Sequence, residues 1–252
     1  MRVLIGGGTG FIGKALTHLL HSRGHEVTVV SRQPGAHRIT WNELTSSGLP
    51  PCDAVVNLAG ENILNPFRRW NEAYQKELLS SRLDTTYMLA TAIAGATQPP
   101  QAWVLVTGTA YYQPSLTAEY DEDSPGGNFD FFSNLVSKWE AAAKIPGNDT
   151  RQVVVRSGIL VHAIEKNHVK GILNGVSPAS STTNAEFAKA LGTAVGRPAL
   201  LPLPSPAVQA IFGQERSVML LEGQKVIPRR TLASGYQYTF PELQAALKQA
   251  VS

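Results

Sequence analysis

A doubly wound α/β fold on a parallel sheet is what this sequence predicts, and three observations predict it. Short strands that are apolar on both faces alternate with segments of helical periodicity up to about residue 176, the pattern of a sheet covered by helices on each side. A glycine-rich turn at 6–13 joins the first strand to the first helix. The 252 residues are 43% hydrophobic and only 16% charged, which suits one buried core with a small appendage and excludes a disordered chain.

The elements follow in order. Arg2–Gly6 is a short apolar strand, and its start beside Met1 leaves no targeting peptide in view. Ile12, Ala15, Leu16, Leu19 and Leu20 recur at helical spacing, and Gly24 stands where a helix C-terminus is capped. Val27, Val29 and Val30 make Glu26–Ser31 a second strand, and AVVN at Ala54–Asn57 is a third. Residues 68–94 read as one long helix, and Pro99-Pro100 breaks the chain after it. Ala102–Thr107 is a fourth strand. Phe132, Leu135, Val136 and Trp139 share one helix face within 131–145, and VVVR at 153–156 is a fifth strand. Farther on, 159–167 reads as a helix and 172–176 as a strand. Thr183-Asn184-Ala185-Glu186 has the T-x-x-E form that opens a helix. Residues 198–206 are proline-rich and irregular, and 242–251 is helical.

Other classes are set aside by composition. Cys52 is the only cysteine, so intrachain disulfides and cysteine metal clusters are excluded, and the cytoplasm or another reducing intracellular compartment is expected. The net charge is +3 with no Lys/Arg block, so no nucleic-acid partner is expected. No apolar run approaches the ~20 residues of a membrane helix, so no membrane partner is expected either.

The glycine turn carries the strongest chemical signal. Gly8, Gly10 and Gly13 satisfy G-x-G-x-x-G, and Gly7, Gly10 and Gly13 satisfy the wider G-x-x-G-x-x-G. Bare positions here serve a tight turn, the approach of backbone to a pyrophosphate, and close packing of helix on strand. The helix N-terminus then offers free N–H groups and partial positive charge to phosphates. This is the dinucleotide-binding arrangement of a Rossmann fold. Where such a site takes NAD, an acidic residue ends the second strand; here the strand ends Ser31-Arg32-Gln33. A carboxylate would repel a ribose 2′-phosphate, whereas an arginine fork and a serine hydroxyl would receive it. NADP(H) is therefore the expected cofactor, read by Ser31 and Arg32.

GGTGFIG at 7–13, Asn57-Leu58-Ala59-Gly60 at the end of the third strand, and the Gly171–Asn174 strand with its T-x-x-E sequel resemble the extended short-chain dehydrogenase/reductases. NLAGEN at 57–62, Arg69-Trp70, Ser81-Arg82, Thr107-Gly108, Lys138-Trp139-Glu140, and the tail motifs QKVIP at 224–228 and Gly235-Tyr236-Gln237-Tyr238 resemble the atypical epimerase-family subgroup 39U. The resemblance implies three parts: an NADP-binding Rossmann domain at 1–158, a return helix and strand at 159–176, and a small C-terminal α+β substrate-side domain at 177–252. It implies cofactor contacts from Gly7, Gly10, Phe11, Ile12 and Gly13, from Asn57, Leu58, Ala59 and Gly60, and from Glu77 and Arg82 on the long helix. A solvated charged helix face is the alternative for those last two.

Catalysis is where the sequence departs from the resemblance. The superfamily uses a hydroxyl residue with tyrosine and lysine at Y-x-x-x-K spacing, one helical turn apart, the lysine lowering the tyrosine pKa. Aligned on Lys138, the tyrosine position holds Asn134, which cannot donate and retake a proton. The remaining candidates are Lys138, as a nicotinamide-ribose contact or a surface lysine; Thr107 and Thr109 at the end of the fourth strand; and Tyr111 and Tyr112, as proton donors or pocket wall. Asp121-Glu122-Asp123 reads as a solvated loop, no metal site is expected, His18, His21, His25 and His37 have no ligand spacing, and Cys52 reads as packing.

The resemblance also implies a few dozen residues between the fifth strand and the helix after it, walling the substrate pocket. They are absent after Gly158, by alternative splicing or by loss of the segment from the sequence. The function expected is that of an NADP-dependent oxidoreductase acting on a small carbonyl or alcohol; the alternative is a non-catalytic NADP(H)-binding sensor or scaffold. Neither the substrate nor the oligomeric state is written in the sequence.

Overall fold

The computed structural model describes residues 1–147, 149–157, 160–178 and 182–251. Seven strands form one sheet, all neighbours parallel: β1 (Arg2–Gly6), β2 (Glu26–Ser31), β3 (Arg38–Thr40), β4 (Ala54–Asn57), β5 (Ala102–Thr107), β7 (Arg151–Arg156) and β8 (Gly171–Asn174), in the order β3-β2-β1-β4-β5-β7-β8. A two-stranded parallel ribbon pairs β6 (Glu119–Tyr120) with β9 (Lys225–Val226). The strand order reverses direction between β1 and β4, and ligands of such sheets bind at the carboxyl ends beside that switch point. The doubly wound Rossmann architecture expected from the strand–helix alternation is the one observed.

Period-two alternation assigns the side chains to two cores. Val3 and Ile5 of β1 join Val29, Val56, Val104 and Val155 on one face, under α1 (Phe11–Ser22) and α5 (Leu160–Glu165). Leu4, Val30, Val55, Trp103 and Leu105 face the other way, under α2 (Trp41–Ser47), α3 (Glu72–Ala94) and α4 (Phe131–Ala142). Each fully buried aliphatic side chain contributes about 1.5–3 kcal/mol relative to exposure.

Several boundaries differ from those expected, among them that of α4, which ends at Ala142 rather than at 145. The long helix begins at Glu72 rather than 68, because the Asn71 side chain accepts the Tyr74 N–H at 3.0 Å and caps the helix there. Arg68, Arg69 and Trp70 stay in the preceding loop. Backbone pairing to Ala102 and Trp103 draws Arg151 and Gln152 into β7. The helix expected at 159–167 is the shorter α5, and the strand expected at 172–176 is β8. The junction at Gly158 and Ile159 lies outside the described residues. Helix α2 went unread although Thr40 and Glu43 form a capping box, the signal that located α6 (Asn184–Ala194).

The rest of the chain is mostly helical: α6, α7 (Ser205–Phe212), α8 (Gln214–Leu221), α9 (Arg229–Ala233) and α10 (Leu243–Val251), with α10 packed on α6. Two side chains tie this part to the sheet's carboxyl edge. Arg216 is 3% exposed and donates to the carbonyls of Phe212 (2.6 Å) and Asn65 (2.8 Å), and Trp70 Nε1 donates to Glu215 (2.9 Å).

Candidate functional site

The glycine turn sits at the switch point, and its glycines differ in what they make room for. Gly7 has φ +76°, and a Cβ there would lie 2.7 Å from the Ala59 nitrogen. A Cβ on Gly8 would meet the Val29 side chain at 2.6 Å, and one on Gly13 would meet the Gly8 Cα at 2.5 Å. These three let the turn, the β4 loop and α1 close on one another. Gly10 is different: its Cβ would find only the Gly7 carbonyl, at 3.4 Å. It caps α1 without a side-chain bond, so the first-turn N–H groups of Phe11, Ile12 and Gly13 have no capping side chain. Phe11 (93% exposed) and Ile12 (52% exposed) carry apolar side chains on an open surface.

At the end of β2, Ser31 is buried and its hydroxyl is spent locally, donating to the Gln33 carbonyl and accepting from the Gln33 N–H at 3.3 Å. Arg32 beside it is exposed and, among the described residues, makes no hydrogen bond or ion pair. Of the two residues expected to read a 2′-phosphate, the cation is free and the hydroxyl is engaged.

The β4 loop is held from below. Asn57 is fully buried; its Oδ1 accepts the Ala59 N–H at 3.0 Å, and its Nδ2 donates to Thr86 Oγ1 at 2.8 Å. Thr86 also accepts from Trp139 Nε1 at 2.8 Å. Asn57 therefore positions Leu58, Ala59 and Gly60 rather than presenting its own amide. Arg82 is 8% exposed, not a solvated face: it donates to the carbonyls of Glu61 (2.8 Å) and Leu78 (3.1 Å), and burial pushes its pKa down to about 10. Gly60 is bare over that guanidinium, whose Cζ would lie 3.0 Å from a Cβ. Glu77 is half-exposed and ion-paired with Arg68.

The β5 end, where the catalytic candidates lie, is a closed network of buried charge. Thr107 Oγ1 donates to Glu140 Oε1 at 3.1 Å. Arg156, its side chain 1% exposed, grips Glu140 with Nε (2.9 Å) and Nη2 (2.8 Å) and donates Nη1 to the Tyr112 hydroxyl at 2.8 Å. Tyr112, fully buried, donates to Asn174 Oδ1 at 2.9 Å, and burial raises its pKa. The Asn174 N–H reaches Glu122 at 3.0 Å, whose other oxygen accepts the Arg230 N–H at 3.1 Å. The Arg156 guanidinium lies 3.5 Å from the Tyr111 ring centroid. Lys138 is exposed and lines a groove with Leu83, Asp84 and Tyr87, while Glu140, two residues on and so on the far side of α4, is the one that meets Thr107. Asn134 Nδ2 donates to the Asp130 carbonyl at 2.8 Å. Thr109 opens on a cavity of about 140 Å³ that Tyr112, Phe132 and Met219 also line.

One expectation needs correction. The 121–123 loop is solvated only at Asp123: Asp121 and Glu122 are 8% and 4% exposed, because Arg229 clasps the first carboxylate and the backbone N–H groups of Asn174 and Arg230 hold the second. Sequence reasoning also missed Thr86, Glu140, Arg156, Asn174 and Glu122. Glu140 and Asn174 stand in quoted motifs, KWE and G-x-x-N, but the partners that define their roles lie up to 62 residues away. Cys52 is half-buried, and burial pushes its thiol pKa up to about 12. Among the described residues no group of three or more His, Cys, Asp or Glu could hold a metal ion, and no helix is long and apolar enough to cross a membrane.

Comparison with known proteins gives a consistent picture. The profile of the NAD dependent epimerase/dehydratase family matches residues 3–156, and a domain of unknown function, DUF1731, matches 203–250. The chain is 67% identical to the epimerase family protein SDR39U1 of Bos taurus, covering all of both chains. That alignment runs over 294 positions against 252 residues here, so at least 42 positions have no counterpart in this chain. A crystal structure of human SDR39U1 (isoform 2) with NADPH is 63% identical, with a TM-score of 0.97 over 100% of this chain and 99% of that one. A UDP-N-acetylglucosamine 4-epimerase from Bacillus cereus, at 14% identity and a TM-score of 0.69 over 100% and 98% of the two chains, shares the fold alone. With the family's profile spanning the whole sheet up to β7 and a near-full-length relative at two-thirds identity, this chain belongs to the NAD dependent epimerase/dehydratase family.

Proposed function

We propose that this chain is an NADP(H)-binding protein, and that the described structure serves binding rather than turnover. The observation that carries the coenzyme reading is the pairing of a bare glycine cradle with a free cation. Gly7, Gly8 and Gly13 close the turn, Gly10 leaves its outer side open, and Arg32 at the end of β2 has neither a carboxylate beside it in sequence nor a bonded partner. Gly10, Phe11, Ile12 and Gly13 would hold the pyrophosphate, Leu58 to Gly60 would flank the adenosine, and Arg32 would grip the 2′-phosphate. The human relative solved with NADPH supports the same coenzyme.

When bound, the reduced nicotinamide supplies a hydride, and the protein's share of a reduction is to orient it and deliver a proton. That share is what the residues do not offer. Tyr112 and Thr107 are locked by Arg156 and Glu140, and Asn134 carries no exchangeable acid proton at the tyrosine position. One observation favours the second reading, an NADP-dependent oxidoreductase of a small carbonyl or alcohol: the cavity beside Thr109 could seat such a molecule against Tyr112.

Coenzyme titration followed by fluorescence, together with deuteride transfer from labelled NADPH to a panel of small carbonyls, separates the readings. NADPH bound more tightly than NADH, with no transfer, is expected; sustained transfer would favour the oxidoreductase. Arg32→Asp should reverse the coenzyme preference, and an unchanged ratio would refute the 2′-phosphate assignment.

A further inference from the structure

The cavity beside Thr109 is one-sided in its charge. It measures about 140 Å³ and lies between the start of α4 and the end of α8. Tyr112 and Phe132, both buried, line it together with the more exposed Phe129 and Met219. Gln224 Nε2 donates to the Thr109 carbonyl at 2.8 Å and the Ser115 N–H to the Gly223 carbonyl at 2.9 Å, so the two walls are fastened to each other. Two of the lining residues are acids, Asp130 and Glu222, and none is Lys, Arg or His, in a chain whose net charge is +3. The Asp130 carboxylate is engaged at the start of α4, accepting the Ser133 N–H at 2.7 Å. The Glu222 carboxylate has no bonded partner among the described residues. Glu222 also follows directly on the last residue of α8, where the unpaired helix carbonyls carry partial negative charge. Arg156, which donates to the Tyr112 hydroxyl, has its own charge matched by Glu140.

An anion in this cavity would face a free carboxylate and a helix C-terminus with no cation to balance them. A neutral molecule would gain the apolar wall alone. A hydrated metal ion would need several oxygen ligands where one carboxylate is free. An organic cation gains the apolar wall and the negative rim together, and aromatic rings add attraction for an ammonium group. We infer that the cavity is a binding site for a small alkylammonium compound, its hydrocarbon body against Phe132, Val218 and Met219 and its cation at Glu222. Thr109 lines the same space, and its hydroxyl, without a bonded partner among the described residues, would receive an alcohol or carbonyl oxygen. The binding claim rests on the cavity alone and goes beyond the coenzyme reading. For the oxidoreductase alternative it names the substrate class, an amino alcohol or amino carbonyl compound.

The test is ligand-observed NMR titration of the full chain, at constant ionic strength, with three probes of one shape: choline, its uncharged carbon isostere 3,3-dimethylbutan-1-ol, and the anion 3,3-dimethylbutanoate. Choline should bind at least about fivefold more tightly than the isostere, and the anion more weakly than either. Glu222→Gln should bring choline to within roughly twofold of the isostere. Met219→Trp, at the rim, should fill the cavity and weaken choline and the isostere alike. Equal binding of choline and the isostere, tightest binding of the anion, or a choline preference that survives Glu222→Gln would overturn the inference. So would choline binding that Met219→Trp leaves intact. NADPH titration of the same samples keeps the two readings apart. Glu222→Gln should leave NADPH affinity unaltered, since the glycine turn and Arg32 lie on other elements. A chain that binds NADPH and shows no choline preference defeats this inference alone, and one that binds choline as expected but not NADPH defeats the coenzyme reading alone.

Discussion

The carboxyl edge of the sheet has two halves, and they are built on opposite principles. Around β1, β2 and β4 the chain withholds side chains: Gly7, Gly8 and Gly13 let three backbone segments touch, and the exposed groups are N–H donors and a free arginine. Around β5, β7 and β8 it supplies them: Glu140, Arg156, Tyr112, Asn174 and Glu122 fill the edge with bonded polar atoms. The first half leaves room for a polyanion. The second has used its donors and acceptors on itself. A low-dielectric interior strengthens a fully satisfied network and makes a half-satisfied one costly, so the second half is fixed and the first receptive.

Glycine substitutions should break this contrast most sharply. Gly13→Ala drives a Cβ into the backbone of Gly8, with no flexible side chain to yield, so the turn and α1 must part. Loss of coenzyme binding is expected, with about 1–3 kcal/mol of stability lost by urea unfolding. Gly10→Ala is the control. Its backbone lies at φ −75°, ψ 178° and its nearest neighbour at 3.4 Å, so the fold should tolerate it with a change below about 1 kcal/mol. If the open side of Gly10 belongs to the pyrophosphate, binding should nevertheless fall at least about tenfold. Equal coenzyme affinity in Gly10→Ala and the unaltered chain would deny that side to a ligand.

The same contrast explains what could be read from the sequence. β1, β2, β4 and β5 were legible to the residue because each is a local run of apolar residues bounded by turn formers. The glycine turn was legible because its chemistry lies within eight consecutive positions. The β5–β8 edge was not, because Arg156 acquires its role from Glu140, Tyr112 and Tyr111, which no spacing rule connects. Thr86 is the clearest case. It is one polar residue in a buried stripe with Leu78 and Leu89, and only the fold shows that it bonds both Asn57 and Trp139. For Arg82 the sequence left a solvated helix face open as the alternative to a coenzyme contact, and the fold closes that alternative, because the bare Gly60 that admits the guanidinium lies 22 positions earlier.

Arg156→Met tests the closed half. It leaves the Glu140 carboxylate, 12% exposed, without its guanidinium, and removes the donor to Tyr112. Stranding a buried charge costs about 3–5 kcal/mol, a large part of an ordinary domain's stability. Arg156→Met with Glu140→Leu should recover most of that loss, since the cost lies in the uncompensated charge. Additive losses in the double variant would mean that the network supplies packing or hydrogen bonds the pair alone does not explain.

The smallest expected effect lies on the opposite face of the sheet, where α5 meets the C-terminal segment. His162 Nε2 lies 2.9 Å from Ser234 Oγ, its ring packs edge-on against Tyr236, and His168 and Lys166 stand nearby. Burial, with those neighbouring cations, lowers its pKa below the ordinary 6.5, although the Ser234 contact works the other way. In the window from the lowered value up to about 6.5 the unfolded chain therefore binds more protons than the folded one, and stability must rise with pH there. Because His162 is only partly buried and the Ser234 contact opposes the shift, the gain is no more than roughly 1 kcal/mol. His162→Gln should flatten the rise in urea midpoint between pH 5 and pH 7 while leaving the pH 7 value close to that of the unaltered chain. It should also leave NADPH affinity unchanged, since the glycine turn and Arg32 lie on other elements. A rise of the same slope in the variant would assign the pH dependence to other groups.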